Sequence, residues 1–126
     1  MRVWLGAGPL PLTSKYAERD KPVSYASSTF AVAVDLQLNS GGGDTLLSIE
    51  NVDGSRFSDT LFGDNNGTTG DRLRGLDGAD SIEGFSGQDL LDGGSDNDIV
   101  FGGEGDDTVI GGAGSDFLNG QGGFTP

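Results

Sequence analysis

GLDGADSIE (75–83), GFSGQDLLD (84–92), GGSDNDIVF (93–101), GGEGDDTVI (102–110) and GGAGSDFLN (111–119) are consecutive segments of nine residues. Three columns stay in register through all five. The first position is Gly75, Gly84, Gly93, Gly102 and Gly111. The sixth is Asp80, Asp89, Asp98, Asp107 and Asp116, and the eighth is Ile82, Leu91, Val100, Val109 and Leu118. One step upstream, Asp71 and Leu73 keep the same phase. A linker has no reason to hold such a register, whereas a stacked repeat requires it.

Each column has a physical task. The half-unit G-G-x-G-x-D lets the backbone turn through positive φ, where glycine has no Cβ penalty. The half-unit x-U-x, with U the aliphatic residue, reads as a three-residue strand whose middle side chain points inward. Two nonapeptides make one coil of 18 residues, so units n and n+2 stack on the same side. No unit buries its aliphatic residue alone, but stacked units build a thin ladder of Ile, Leu and Val. The expected class is all-β, a solenoid of short parallel strands.

Composition bounds the chemistry. The chain has 126 residues, suited to one domain, with Gly 24, Asp+Glu 20 and Lys+Arg 7, and a formal net charge of -13. Only 33% is hydrophobic, which buries too little area for an ordinary globule. With no His and no Cys, zinc fingers, Cys or His nucleophiles and the Ser-His-Asp triad are excluded. The charge repels nucleic acid and anionic membrane surfaces; it attracts cations. The acid is concentrated: residues 75–126 hold eleven acids and no Lys or Arg, while residues 1–74 hold nine acids and all seven bases.

The five units resemble the RTX (hemolysin-type) calcium-binding nonapeptide repeat of secreted bacterial toxins, proteases, lipases, adhesins and alginate epimerases. The resemblance is strong over residues 75–123. It is weaker back to Val23, through VSYASSTFAVAVDLQL and GGGDTLLSIENVDGSRFSDTLFGDNNG, which are similar to segments of large RTX proteins and to modules of mannuronan C5-epimerases. The resemblance implies a parallel β-roll (right-handed β-solenoid) with several calcium ions between stacked turns. Carried onto this chain, it pairs Asp80 with Asp98, Asp89 with Asp107, and Asp98 with Asp116. Carbonyls would come from Gly84, Gly87, Gly93, Gly94, Gly102, Gly103, Gly105, Gly111, Gly112 and Gly114. About three complete sites are expected, with partial ones at Asp71/Asp89 and beyond Asp107; mixed carboxylate and carbonyl shells suit calcium. The same resemblance implies secretion to the extracellular space by type I export, with folding on calcium outside the cell, and a neighbouring domain in a longer protein.

Three departures mark weaker turns. Leu76 and Phe85 replace the second glycine of units one and two, so distorted or edge-like turns are expected there. Asp96 replaces the glycine at position four of unit three, where Asp tolerates a left-handed backbone better than most residues. Asp59-Thr60-Leu61 lies twelve residues before Asp71-Arg72-Leu73, an insertion of three, and no full site is expected there.

The division is a flexible lead (1–22), irregular capping coils (23–74) and the repeats (75–126). In the capping region Phe30, Val32, Val34, Leu36 and Leu38 alternate with Ala31, Ala33, Asp35 and Gln37, as in a strand with one buried face. Leu46, Ile49 and Val52 are expected to extend the ladder, with turns at Gly41–Gly43 and Asp53-Gly54. The lead, broken by Pro9 and Pro11, is too short for a signal peptide or membrane span. The sixth unit breaks off at Gly120–Pro126, so a fragment without the family's C-terminal secretion signal is expected.

Other chemistries fit less well. Asp96-Asn97-Asp98 lacks the glycine and the closing Glu of an EF-hand loop. The glycine runs have no downstream Lys for a phosphate loop. Carboxylates recurring at a fixed period differ from the single pair of a glycosidase, so no catalysis is expected on this chain. An ice-binding roll needs an outward Thr row, but position seven reads Ser81, Leu90, Ile99, Thr108, Phe117. Ile99, Phe101 and Phe117 point outward on one face and Leu90 and Ile110 on the other, candidates for an interface. If the capping segment or a neighbouring domain covers them, Phe101→Ser with Phe117→Ser exposes dye-binding surface.

Overall fold

Short aliphatic strands separated by Gly- and Asp-rich corners can bury their inward residues only by stacking coil on coil. The computed structural model describes residues 23–36, 40–41, 44–45, 51–65 and 70–120, and does so as a β-solenoid. Its strands are β1 (Val23–Ser24), β2 (Ala33–Asp35), β3 (Ser40–Gly41), β4 (Asp44–Thr45), β5 (Asn51–Asp53), β6 (Thr60–Phe62), β7 (Arg72–Arg74), β8 (Ser81–Glu83), β9 (Leu90–Ser95), β10 (Ile99–Phe101), β11 (Thr108–Ala113) and β12 (Phe117–Asn119). From β5 onward, successive strands alternate between two sheets. One sheet has the order β1-β5-β7-β9-β11, the other β12-β10-β8-β6-β2-β3-β4. Pairing is parallel throughout, except that β3 is antiparallel to β2 and β4. No helix occurs among the described residues, and none is long and apolar enough to cross a membrane.

The register carries the ladder. In one sheet Val23, Val52, Leu73, Leu91 and Val109 stand one above another; in the other, Val34, Leu61, Ile82, Val100 and Leu118. All but Leu118 are buried, and with Tyr25, Val32 and Leu36 they form the core. Val52 therefore extends the ladder as its spacing predicts. Val32, Val34 and Leu36 form the buried face expected of that stretch, but Phe30 is 55% exposed. The strand starts only at Ala33, and Phe30 lies in the loop before it, held by its own amide donating to Ser28 Oγ. Leu38, Leu46, Ile49, the Gly42-Gly43 turn and the lead 1–22 lie outside the described residues.

The coil length reports the insertion. Repeats of 18 residues stack Ser81 on Ile99 and Leu90 on Thr108. Upstream, the coils joining Thr60 to Ser81 and Asn51 to Arg72 take 21 residues. The three extra residues fall in the corner between β6 and β7, so both sheets keep their register. A solenoid absorbs insertions at corners because strand pairing fixes only the flat faces. Arg74 adds a tie between coils: its Nε and Nη2 donate to the two oxygens of Asp53 at 2.7 and 2.9 Å.

Ile82 is fully buried between Leu61 and Val100, whereas Leu118 is 41% exposed. Ile82→Ala is expected to lower the stability of the calcium-saturated protein by about 2–4 kcal/mol. Leu118→Ala should cost under about 1 kcal/mol, a partly exposed side chain having less burial to lose. Urea unfolding of both variants checks the contrast.

Candidate metal centre

The corners of the roll repeat one backbone conformation. Position two of each unit has positive φ in all five: 78° at Leu76, 71° at Phe85, 100° at Gly94, 98° at Gly103 and 89° at Gly112. So has position four, at Gly78, Gly87, Asp96, Gly105 and Gly114. The expectation of distorted corners at Leu76 and Phe85 is therefore corrected. The Leu76 carbonyl accepts from Ser95 N (2.8 Å), and the Phe85 carbonyl from Glu104 N (2.7 Å). Those contacts hold each side chain in a left-handed conformation that costs about 1–2 kcal/mol outside glycine. Position four of unit three takes Asp96 in the same conformation, and its Oδ2 accepts from Gly78 N.

The position-six aspartates form a second ladder beside the aliphatic one. Asp71, Asp80, Asp89, Asp98 and Asp107 are buried, and Asp116 is half-buried. Asp80, Asp89, Asp98, Asp107 and Asp116 each use Oδ1 to accept the amide of the matching aspartate one coil earlier. Asp71 N donates to Asp89, Asp80 N to Asp98, Asp89 N to Asp107 and Asp98 N to Asp116, at 2.8–2.9 Å. The pairs Asp80/Asp98, Asp89/Asp107 and Asp98/Asp116 thus meet as carboxylate and backbone amide. Among the described residues no three acidic side chains converge. Each aspartate has one oxygen left for other work.

Oδ2 of Asp80, Asp89, Asp98 and Asp107 is buried and has no hydrogen-bond donor. The glycine at position one leaves open the space in front of it. A Cβ on Gly75 would run into Asp80 Oδ2 and the Gly93 carbonyl. The same holds at Gly84, against Asp89 Oδ2 and the Gly102 carbonyl, and at Gly102, against Asp107 Oδ2 and the Gly120 carbonyl. At Gly93 and Gly111 a Cβ would meet Asp98 Oδ2 and Asp116 Oδ2. The carbonyls of Gly87 and Gly94 lie instead under Gly105 and Gly112 of the next coil, and that of Asp96 under Gly114, so these contacts hold the stack close. At Gly103 the neighbour is the Phe85 carbonyl.

A cluster of oxygens with no proton between them is stable only with a cation or with a proton taken up. The electrostatics of the metal-free chain show the second course. Burial pushes the Asp80 carboxyl up to about 7, against the pull of the Asp59 amide and with further push from the Asp59 and Asp98 charges. Asp89 rises to about 6, again chiefly by burial, then by the Asp107 and Asp64 charges. Asp98 is raised for the same reason, with Asp116 adding to it. The donor set of one carboxylate oxygen per turn plus backbone carbonyls is hard and all-oxygen, and it fits calcium.

A family model describes this arrangement. Residues 65–100 and 92–124 match the RTX calcium-binding nonapeptide repeat, in four copies. Residues 65–124 are RTX calcium-binding repeats. Such repeats bind several calcium ions per stretch, and the RTX roll is a structural calcium-binding module, not a catalytic one. No curated protein matches the chain. The RTX match begins at residue 65, so it lends no support to a likeness between the upstream coils and mannuronan C5-epimerase modules.

The carboxylate ladder runs further upstream than the RTX repeats read from sequence. Asp59 is buried beside them, and its amide donates to Asp80 Oδ1 at 2.7 Å. Gly54, Asp59 and Leu61 have the first, sixth and eighth positions of a nonapeptide, GSRFSDTLF, and that spacing was the available signal. Ser55, Arg56 and Phe57, where the RTX units carry glycine and acid, mask it.

Raised carboxyl values in the folded, metal-free RTX roll mean that protons favour folding. The contribution is fully present below the ordinary Asp range of about 4. It is lost as pH rises through about 6 to 7. Protons and calcium compete for the same oxygens. In chelator, β-structure should therefore increase on acidification from pH 8 to 5, and calcium affinity should weaken over the same interval. Circular dichroism and calcium titration at several pH values measure both; an affinity flat across that interval contradicts the assignment.

Proposed function

We propose that this chain is the calcium-folded module of a secreted bacterial RTX protein, and that Asp80, Asp89, Asp98 and Asp107 each direct Oδ2 to a calcium ion. Carbonyls of Gly84, Gly93 and Gly102, with others of the turns, complete the shells. Asp116 is the last ligand, and Asp71, whose Oδ2 accepts the Asp64 amide, supports the first site by donating its own amide to Asp89 Oδ1. The observation that carries this reading is the set of buried Oδ2 atoms without a donor, which at Asp80, Asp89 and Asp107 share the space before a position-one glycine with a carbonyl of the next coil. Calcium supplies the positive charge that lets those oxygens stay ionised and close together. Without it the carboxylates repel, and burying them raises the cost of every stacked coil.

The thin core makes this coupling strong. Each coil contributes one inward aliphatic residue per face, which offsets little of the ordering entropy of 18 residues. Ligand binding confined to the folded state then decides whether the roll forms. Sites of extracellular type, with dissociation constants of about 10⁻⁴–10⁻³ M, stay empty in the cytosol and fill outside. That suits export of an unfolded chain by a type I route. Absence of Cys fits a roll tied by ions rather than disulfides.

A neighbouring domain in a longer protein is supported by one further feature. Ile99 and Phe117 are 45% and 56% exposed, and the Phe101 and Phe117 rings lie 5.8 Å apart. The parent activity, whether of an enzyme or an adhesin, belongs to that part rather than to the roll.

Circular dichroism should show a largely coil-like chain in chelator and a marked gain of β-structure in millimolar calcium. Asp98→Ala, which removes a ladder acceptor and an ion ligand together, should shift the calcium midpoint upward by at least about tenfold. A spectrum indifferent to calcium would sink the reading.

A further inference from the structure

Two kinds of corner exist in this roll, and position two separates them. Where it is left-handed, as at Leu76, Phe85, Gly94 and Gly103, the Oδ2 of the following aspartate has no donor. At the two preceding corners position two is Ser55 and Asp64, neither with positive φ. There the amide itself fills the space: Ser55 N donates to Asp59 Oδ2 at 2.6 Å, and Asp64 N to Asp71 Oδ2 at 2.7 Å. Asp59 is then satisfied on both oxygens, since Oδ1 accepts from Ser55 Oγ (2.6 Å) and from Val32 N (2.9 Å). Yet its surroundings otherwise copy those of Asp80, because a Cβ on Gly54 would meet Asp59 Oδ2 and the Gly75 carbonyl.

We propose that the conformation of position two selects which corners take calcium. Ser55 and Asp64 close the first two corners with their own amides, so the calcium ladder begins at the Leu76 corner. The coils before it fold without the ion. This rests on the calcium reading above and adds a boundary to it. The closed coils carry a tie the open ones cannot make, since residues 75–126 hold no base: the Arg74–Asp53 ion pair joins β7 to β5. With their edge already formed, β7 and β6 present paired templates on which β9 and β8 add when calcium arrives. In a solenoid whose units contact only neighbours, such a template removes the nucleation step.

Hydrogen exchange of the full chain, in chelator and in millimolar calcium, tests this. In chelator, amides at 52–62 should stay protected while those at 82–118 exchange. Calcium should raise protection at 82–118 by at least about a hundredfold and change 52–62 by less than about tenfold. Ser55→Gly frees position two to turn left-handed. This variant should bind one more calcium per chain by titration and make protection at 52–62 calcium-dependent. If 52–62 exchanges in chelator as fast as 82–118 while both respond to calcium, the boundary is wrong and the calcium reading stands. If calcium changes protection nowhere, the calcium reading itself fails. Wild-type stoichiometry and exchange in Ser55→Gly would overturn the role of Ser55; if that variant does not fold, the wild-type exchange pattern alone decides.

Discussion

The structure depends on a carboxylate that is asked to do two things at once. Asp80, Asp89, Asp98 and Asp107 each reach back one coil with Oδ1 to hold the amide of their counterpart, as Asp98 holds Asp80 at 2.8 Å. The other oxygen of each is left buried without a donor. The first contact sets the vertical spacing of the coils at the corners; the second makes that spacing expensive unless a positive charge is supplied. Stacking and cation demand are therefore one interaction seen from two sides. The aliphatic ladder alone is too narrow to override it.

Glycine serves this arrangement in two separate ways. At position one the need is for space, since any Cβ on Gly75 or Gly84 would enter the gap between a carboxylate and the next coil's carbonyl. At position two the need is conformational, and it is less strict: Leu76 and Phe85 hold the same left-handed corner as Gly94. The neighbouring coil enforces it by hydrogen bonding to their carbonyls. That explains why the first column never varies in the five units while the second does.

The capping coils solve the same geometric problem with protein atoms. Ser55 and Asp64 give amides to the carboxylates that follow them, and Arg74 places a fixed cation beside Asp53. The distribution of charge along the chain then has a reason. Bases are confined to residues 1–74, which hold nine acids against seven bases, and are absent from 75–126, where eleven acids stand without one. The coil carrying the three-residue insertion lies between these regimes, and both sheets keep their register across it.

Much of this was legible in the residues alone. A period of nine with fixed Gly, Asp and aliphatic columns determined the coil, the inward ladder of Ile82, Leu91, Val100, Val109 and Leu118, and the demand for cations, because each column has one physical use at that spacing. Asp59 was legible as a displaced column, but Ser55-Arg56-Phe57 lacks the composition of a repeat and hid that its corner copies the others. Phe30 fitted an alternating pattern, but a pattern does not tell where a strand begins. Only the tertiary structure decided which oxygen of each aspartate is engaged and which corners are closed by their own amides. The first choice depends on contacts across 18 to 27 residues, and the second on the sign of φ at position two, which coil-to-coil hydrogen bonds impose even on Leu76 and Phe85.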